Sequence, residues 1–385
     1  MSAGLHIVLV EPVDVDGLYP FSEMHCAWEL RVGYHTIAER WSVSVPSCTV
    51  CVYTHREAHL ASYLERHHNT PTISTAAKLV IRANVILSPS VMQQIADACA
   101  AATAPIVIAC NGQIVGAYSN DVTLSVDDVV SMISQTTVSE AQQIVVHGHV
   151  IHRIWQALDH INEAITWDAG LVGQRHHSNA SIHPSSVIDE SKGPVIIGDS
   201  ARIDAMSVIV GPTSIGPNAV IRPHSLIEHS VLGPGCQAGG EVEGSIMHGW
   251  SNKKHAGFLG HSYVCEWVNL GAGCTTSDLK NTYGHVHVTM PWGNEDTQRM
   301  FVGLFIGDHS KAAIGTNFLT GTICGVSSNV VADGFPPRAI SSFAWRDEAY
   351  EVEKALAVAR IVMARRSQTL GPATEQLLRN CAGSV

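Results

Sequence analysis

Branched aliphatic residues recur through the middle of the chain at Ile182, Ile188, Ile197, Ile203, Ile209, Ile215, Ile221 and Ile227, six residues apart except for one nine-residue step. Four positions after most of them stands a small residue (Ser186, Ala201, Ser207, Thr213, Ala219, Ser225), and Gly, Pro, Asn and Asp fill the places between. A six-residue period predicts a left-handed parallel β-helix. Each hexad is a short strand plus a corner, with the aliphatic filling a three-sided prism and the small residue fitting the turn. Neither a helical period nor an alternating strand places a branched aliphatic at every sixth position. The repeat is assigned to a domain at 170–340, interrupted at 242–262 and again at 277–300, where Pro291, Trp292, Gly293 and Asn294 predict a loop leaving the prism.

The flanking segments follow other periods. Over 1–145, apolar runs (HIVLV, CTVCVY, APIVIAC) alternate with helical patterns (ELRVGYHTIAERW, SVMQQIADACAA), which predicts a mixed α/β domain. At 146–169 the helical spacing of Ile154, Leu158, Ile161 and Ile165 predicts a connecting helix. From 341 to 385 the pattern becomes a polar, charged helix (WRDEAYEVEKALAVARIVMARR) followed by a tail expected to be mobile at its end.

Composition narrows the classes. The formal charge of −11 argues against nucleic acid as a partner, since that requires a basic face. No apolar run approaches the roughly 20 residues of a membrane span, and MSAGLHIVLVEPVDVDG reads as a first buried strand rather than a signal peptide. The ten cysteines are scattered in apolar contexts, as expected of reduced thiols in the cytoplasm. Cys48 and Cys51 form a lone C-x-x-C with no second pair at metal-site spacing, so no metal site is assigned.

Candidate chemistry concentrates in SNKKHAGFLGHSYVCEWVNLGAGCTTSDLKNTYG, residues 251–284, where the hexapeptide rhythm breaks. His255 stands fourteen residues before Asn269 of NLGAG. With that spacing the segment resembles the bifunctional N-acetylglucosamine-1-phosphate uridyltransferase/glucosamine-1-phosphate acetyltransferase family, and most of all its shorter sugar nucleotidyltransferases. LYPFSEMHCAWELRVGYHTIAERW, the helix with Trp155, Asn162 and Asp168, LFIGDHSKAAIGT and a closing SFAW are similar to the same group. The resemblance implies a nucleotidyltransferase-like first domain and an acyltransferase prism. It implies His255 as general base and Asn269 at the acceptor. Arg222 of the IRP motif would hold a sugar phosphate, with Lys253 or Lys254 as a second cation and Asn281 and Tyr283 completing the substrate set. Gly271, Ala272, Gly307 and Thr320 would line the groove for acetyl-CoA or another acyl-CoA, and Arg338 would meet its phosphates. A homotrimer is expected, as is a phosphorylated small-molecule acceptor, an amino sugar 1-phosphate above others.

Departures from the family mark the first domain as degenerate. A nucleoside triphosphate needs backbone donors and cations around its phosphates, yet no Gly-rich loop follows HIVLV. Met24, His25 and Cys26 stand where the shorter group has T-R-P before ELRVG, and Arg40 stands where it has Lys before Trp. Magnesium is expected only if nucleotidyl transfer is retained. In the acceptor pocket the family's Tyr three residues beyond the base is Phe258. Three alternatives stay open: a bifunctional nucleotidyltransferase/acetyltransferase, a zinc enzyme of the γ carbonic anhydrase kind built on His224 and His229, and a non-catalytic hexapeptide scaffold. Against the second, Ile188 occupies the place where the first zinc-binding His would fall.

Overall fold

The computed structural model describes residues 5–73, 78–121, 123–134, 142–346 and 348–383. The chain divides into two compact units: 1–15, 25–30 and 35–152 form the first, and 16–24, 31–34 and 153–385 form the second.

The first unit is a mixed α/β layer. Strands β1 (His6–Val10), β2 (Thr49–Tyr53), β3 (Lys78–Arg82), β5 (Ile106–Cys110), β6 (Gln113–Ser119) and β7 (Gln142–Val146) form one sheet in the order β2-β1-β3-β6-β5-β7, and β4 (Val85–Leu87) pairs with β8 (Gly148–Val150). β1 is an interior strand, second in the sheet, and parallel to both neighbours. Its run of Ile7, Val8, Leu9 and Val10 is buried throughout, as a strand covered on both faces requires. Helix α1 (Ile37–Ser44) starts on a reciprocal cap: Glu39 N–H donates to Thr36 Oγ1 and Thr36 N–H donates to Glu39 Oε2. α2 (Glu57–Arg66), α3 (Pro89–Ala101) and α4 (Val126–Ser134) complete this unit. The expected connecting helix is shorter than its period suggests. Residues 142–150 are strands, a 3-10 stretch covers Ile154–His160, and α5 runs only over Ile161–Ala169.

The second unit contains the prism, a parallel β-helix of three sheets. A five-stranded sheet stacks 187–189, 208–210, 226–228, 241–243 and 258–260. An eight-stranded sheet runs from Val195–Ile197 to Ala339–Ile340, and a ten-stranded sheet from Ser181–Ile182 to Glu348–Ala349. All the predicted isoleucines are partners in these ladders: Ile188 with Ile209 and Ile227, Ile197 with Ile215, and Ile182 with Ile203 and Ile221.

The expected interruption at 242–262 does not occur. After Ile227 the inward positions fall at Leu232, Ala238, Val242, Met247, Lys253, Leu259, Val264 and Leu270, in steps of four to six residues. The sides shorten while the strands stay in register. The second excursion is real: His287–Met290 and Gly293–Asp296 form an antiparallel hairpin whose turn is Pro291 and Trp292. It is fixed by Arg153 donating to Glu295 at 2.7 Å and by the Arg299–Asp159 ion pair. The C-terminal tail also differs from expectation. Beyond helix α6 (Val352–Ala364) it folds into α7 (Pro372–Ala382), whose Leu377, Leu378 and Cys381 are buried. No helix among the described residues is long and apolar enough to cross a membrane.

Candidate active site

On the ten-stranded sheet, the residue before each inward position faces away from the core, because successive strand side chains alternate. Gln237, Asn252, Asn269 and Lys311 occupy that place in four successive coils and are register partners. They form one wall of a cavity of about 450 Å³. Lys254 and His255, at the corner after Asn252–Lys253, form its edge together with Trp267, Leu270 and Gly271. The remaining lining comes from the end of α6: Val362, Arg365 and Arg366. Lys254, Lys311, Arg365 and Arg366 put four cations around this space, and among the described residues no carboxylate lines it. In a chain of net charge −11 this is a local inversion suited to an anionic ligand.

Four devices hold the walls. Lys253 points inward, 2% exposed, and its Nζ donates to the carbonyls of Gly239, His255 and Gly257 at 2.7–2.9 Å. These bonds fix the backbone of the corner that carries His255. Burial pushes the Lys253 ammonium down to about 8. Trp267 is stacked between Trp250 (5.3 Å, 4°) and His309 (6.2 Å, 10°). Arg366 donates to Asn252 Oδ1 at 2.7 Å and to the Gly235 carbonyl, which ties the end of α6 to the sheet. Lys311 donates to the His309 carbonyl at 2.6 Å, and burial lowers it to about 8.

Of the residues singled out from sequence, His255, Asn269, Lys254 and Gly271 meet at the cavity. The others do not line it. Lys253 faces the core with its ammonium on three carbonyls, which removes it as a substrate cation. Arg222 is paired with Asp204 at 3.1 Å. Ala272 lies on the exposed turn beyond Gly271, and Asn281 and Tyr283 are exposed on the excursion. Gly307 and Thr320 are buried, the Gly307 N–H donating to Cys324, and Arg338 is exposed before Ala339–Ile340. His224 and His229 stand at opposite ends of the strand Leu226–Glu228, and neither joins a trio of metal-ligating side chains among the described residues. Sequence reasoning missed Gln237, Asn252, Trp267, Lys311, Val362, Arg365 and Arg366. For Gln237, Asn252 and Lys311 a signal existed, since each immediately precedes an inward residue, as Asn269 does.

Residues 7–177 match the sugar nucleotidyl transferase family, and residues 194–229 match the six repeats of the bacterial transferase hexapeptide. The chain thus carries a stretch similar to the sugar nucleotidyl transferase family followed by hexapeptide repeats. A bifunctional sugar-1-phosphate nucleotidylyltransferase/acetyltransferase of Sulfurisphaera tokodaii is 32% identical over 146 residues, 36% of this chain and 35% of that protein. The bifunctional protein GlmU of an Azoarcus species is 30% identical over 105 residues, 22% of this chain and 23% of its own length. The chain therefore spans about a third or less of these curated relatives. Among solved structures, the acetyltransferase domain of PglB from Neisseria gonorrhoeae aligns at 12% identity and a TM-score of 0.18, over 56% of this chain and 75% of that one.

Within the first unit, Glu11, just after β1, and Glu29 hold the neighbouring cations. Glu11 accepts from Arg56 Nε at 2.7 Å, from Thr54 Oγ1 at 2.6 Å and from the Ala27 N–H. Glu29 is buried against Arg66 (2.7 Å) and His25 (3.3 Å), and these neighbours hold its carboxyl well below the usual range against the opposing cost of burial. His25, 1% exposed, serves this carboxylate. Arg56 and Arg66 are thus engaged internally rather than presented to a phosphate.

Proposed function

We propose that the hexapeptide domain transfers an acyl group from acetyl-CoA, or another acyl-CoA, to a small phosphorylated acceptor, of which an amino sugar 1-phosphate fits best. The observation that carries this is the meeting of His255 and Asn269 with Lys254, Lys311, Arg365 and Arg366 around one cavity that no carboxylate among the described residues lines. The acceptor heteroatom attacks the thioester carbonyl, the C–S bond breaks, and the acceptor's proton moves to His255 and on to the departing thiolate. The cations bind phosphate oxygens by charge-assisted hydrogen bonds, and Asn269 orients the acceptor. The names of the curated relatives support the same chemistry, and a homotrimer is part of the proposal. Nucleotidyl transfer is left out of it, because Arg56 and Arg66 serve Glu11 and Glu29.

The test is thiol release from acetyl-CoA in the presence of glucosamine 1-phosphate, with the acetylated product identified by mass. Release above the no-acceptor background is expected. Absence of release, together with no thermal stabilisation by acetyl-CoA at many times a typical dissociation constant, would remove the proposal.

A further inference from the structure

Attack on a thioester carbonyl puts negative charge on the carbonyl oxygen, and donors already aimed at that oxygen speed the step. Along the cavity wall the backbone is committed elsewhere. The N–H groups of Asn252, Asn269, Gly271 and Lys311 donate to the next coil, to the carbonyls of Val268, Ser310, Ala312 and Ser328 at 2.7–3.1 Å. That leaves the side chains of these strands. The four cations of the cavity do not stand together. Arg366 is held to the coils of Gly235 and Asn252, Arg365 precedes it in the chain, and Lys254 directly follows the strand Asn252–Lys253. Lys311 stands beyond Asn269, two coils from Asn252, which is roughly 10 Å along the prism at the ordinary strand spacing. Its surroundings differ too. Lys254 and Arg365 are exposed, whereas Lys311 is half-buried. Its Nζ donates to the His309 carbonyl at 2.6 Å, and among the described residues it makes no ion pair. An ammonium has three donors, so two are left for a ligand. His309 is itself held, by its N–H on the Glu266 carbonyl at 3.0 Å and by its ring against Trp267 at 6.2 Å. The ammonium is thus anchored, partly shielded from water, and placed on the space that His255 and Asn269 line.

We propose that Lys311 is a second catalytic residue, whose ammonium donates to the thioester carbonyl oxygen and balances the charge that oxygen carries between attack and departure of the thiolate. This rests on the acyl-transfer reading and narrows the phosphate-binding set to the other three cations. The acceptor heteroatom bonds to the carbonyl carbon, the C–O double bond opens toward Lys311, and it closes again as the C–S bond breaks. Lys311 keeps its proton throughout, while the acceptor's proton passes through His255 to the thiolate. A cation partly withdrawn from water acts on that oxygen more strongly than an exposed one. The charge depends on pH, because burial lowers Lys311 to about 8. The charged and titratable groups around it are Lys254 and His255 on one corner, His309 on its own corner, and Arg365 and Arg366 on α6; its register partners Asn269 and Asn329 are neutral. Above that pH the amine is neutral, the oxygen loses its counter-charge, and kcat/KM falls.

The experiment follows thiol release by the full chain from acetyl-CoA with glucosamine 1-phosphate. Lys311→Met, its folding checked by circular dichroism, should lower kcat by about 10²–10³-fold and leave the KM of both substrates unchanged, as loss of an interaction made only in the transition state does. Lys311→Arg keeps its charge across the whole pH range. Its kcat/KM divided by that of wild type should rise by about tenfold per pH unit above about 8. Lys253, present in both chains, cancels from that ratio. Wild-type kcat in Lys311→Met overturns the proposal and leaves acyl transfer standing. So does a raised KM at unchanged kcat, which would make Lys311 one more phosphate cation, and so does a ratio that stays flat with pH. No thiol release by the wild-type chain would remove the acyl-transfer reading and this proposal with it.

Discussion

Lys253 stands where Ile203 and Ile221 stand in earlier coils of the same sheet, yet it carries a charge. An ammonium is tolerated there because three corner carbonyls surround it, and a buried charge persists only when hydrogen-bonded. Its depressed pKa has a signed consequence. The folded state releases the Lys253 proton near pH 8, the unfolded state at the ordinary 10.5. Between these values the unfolded chain binds more protons, so the Lys253 contribution to stability rises with pH. The stability of wild type minus that of Lys253→Met, from urea melts, should increase from pH 8 to 10.5; a flat or falling difference would refute the assignment. His255→Ala should lower kcat by about 10²–10⁴-fold and leave acetyl-CoA affinity nearly unchanged. Turnover within a few-fold of wild type would exclude it as the base. His255 and Asn269 were legible in sequence because the spacing to NLGAG is specific. Lys253 was not, since one residue of register decides whether a strand side chain faces core or solvent, and the shortened sides after Ile227 hide that register.

Helix α6 brings to the cavity what the repeat cannot supply, a pair of guanidinium groups at the end of an element outside the prism. Arg366 is occupied with Asn252 and the Gly235 carbonyl, whereas Arg365 and Lys254 are exposed. Arg365→Ala and Lys254→Ala should therefore each weaken binding of the phosphorylated ligands, acetyl-CoA or the acceptor, by about ten- to a hundredfold, in line with the ~1.5–3 kcal/mol of a charge-assisted hydrogen bond. The loss should shrink with added salt, as screening dictates. Calorimetric titration at two ionic strengths checks this, and unchanged affinity in both variants would place the anion elsewhere. The helix itself was legible from its period, and the excursion from Pro291-Trp292-Gly293-Asn294. Where α6 docks was not, because periodicity defines an apolar face and not its partner. The turn to α7 after Gly371 was missed for a related reason. Pro372 at the first helical position and the buried Leu377 and Leu378 give a helix start, but so short a segment holds only by packing.

At the scale of the whole molecule, charge and assembly become testable together. Because Arg56 and Arg66 serve Glu11 and Glu29, mixing UTP, magnesium and a sugar 1-phosphate with the chain should release no pyrophosphate; a robust nucleotide sugar would restore a bifunctional enzyme. The hexapeptide domain makes a different demand. The corner that follows each strand of the ten-stranded sheet carries His255, and along the same edge Met206 and Ile314 are 59% and 79% exposed. In the proposed homotrimer a neighbouring chain would cover this edge. Cyclic symmetry closes such a head-to-tail contact without free ends. A mass of three times the 41.2 kDa of one chain is therefore expected by light scattering. Replacing both Met206 and Ile314 by Asp should dissociate the trimer with the prism still folded by circular dichroism, and should lower acetyl transfer as the covered edge opens to water. A monomer of wild-type activity, in either the native chain or that double variant, would show that one prism suffices for the reaction.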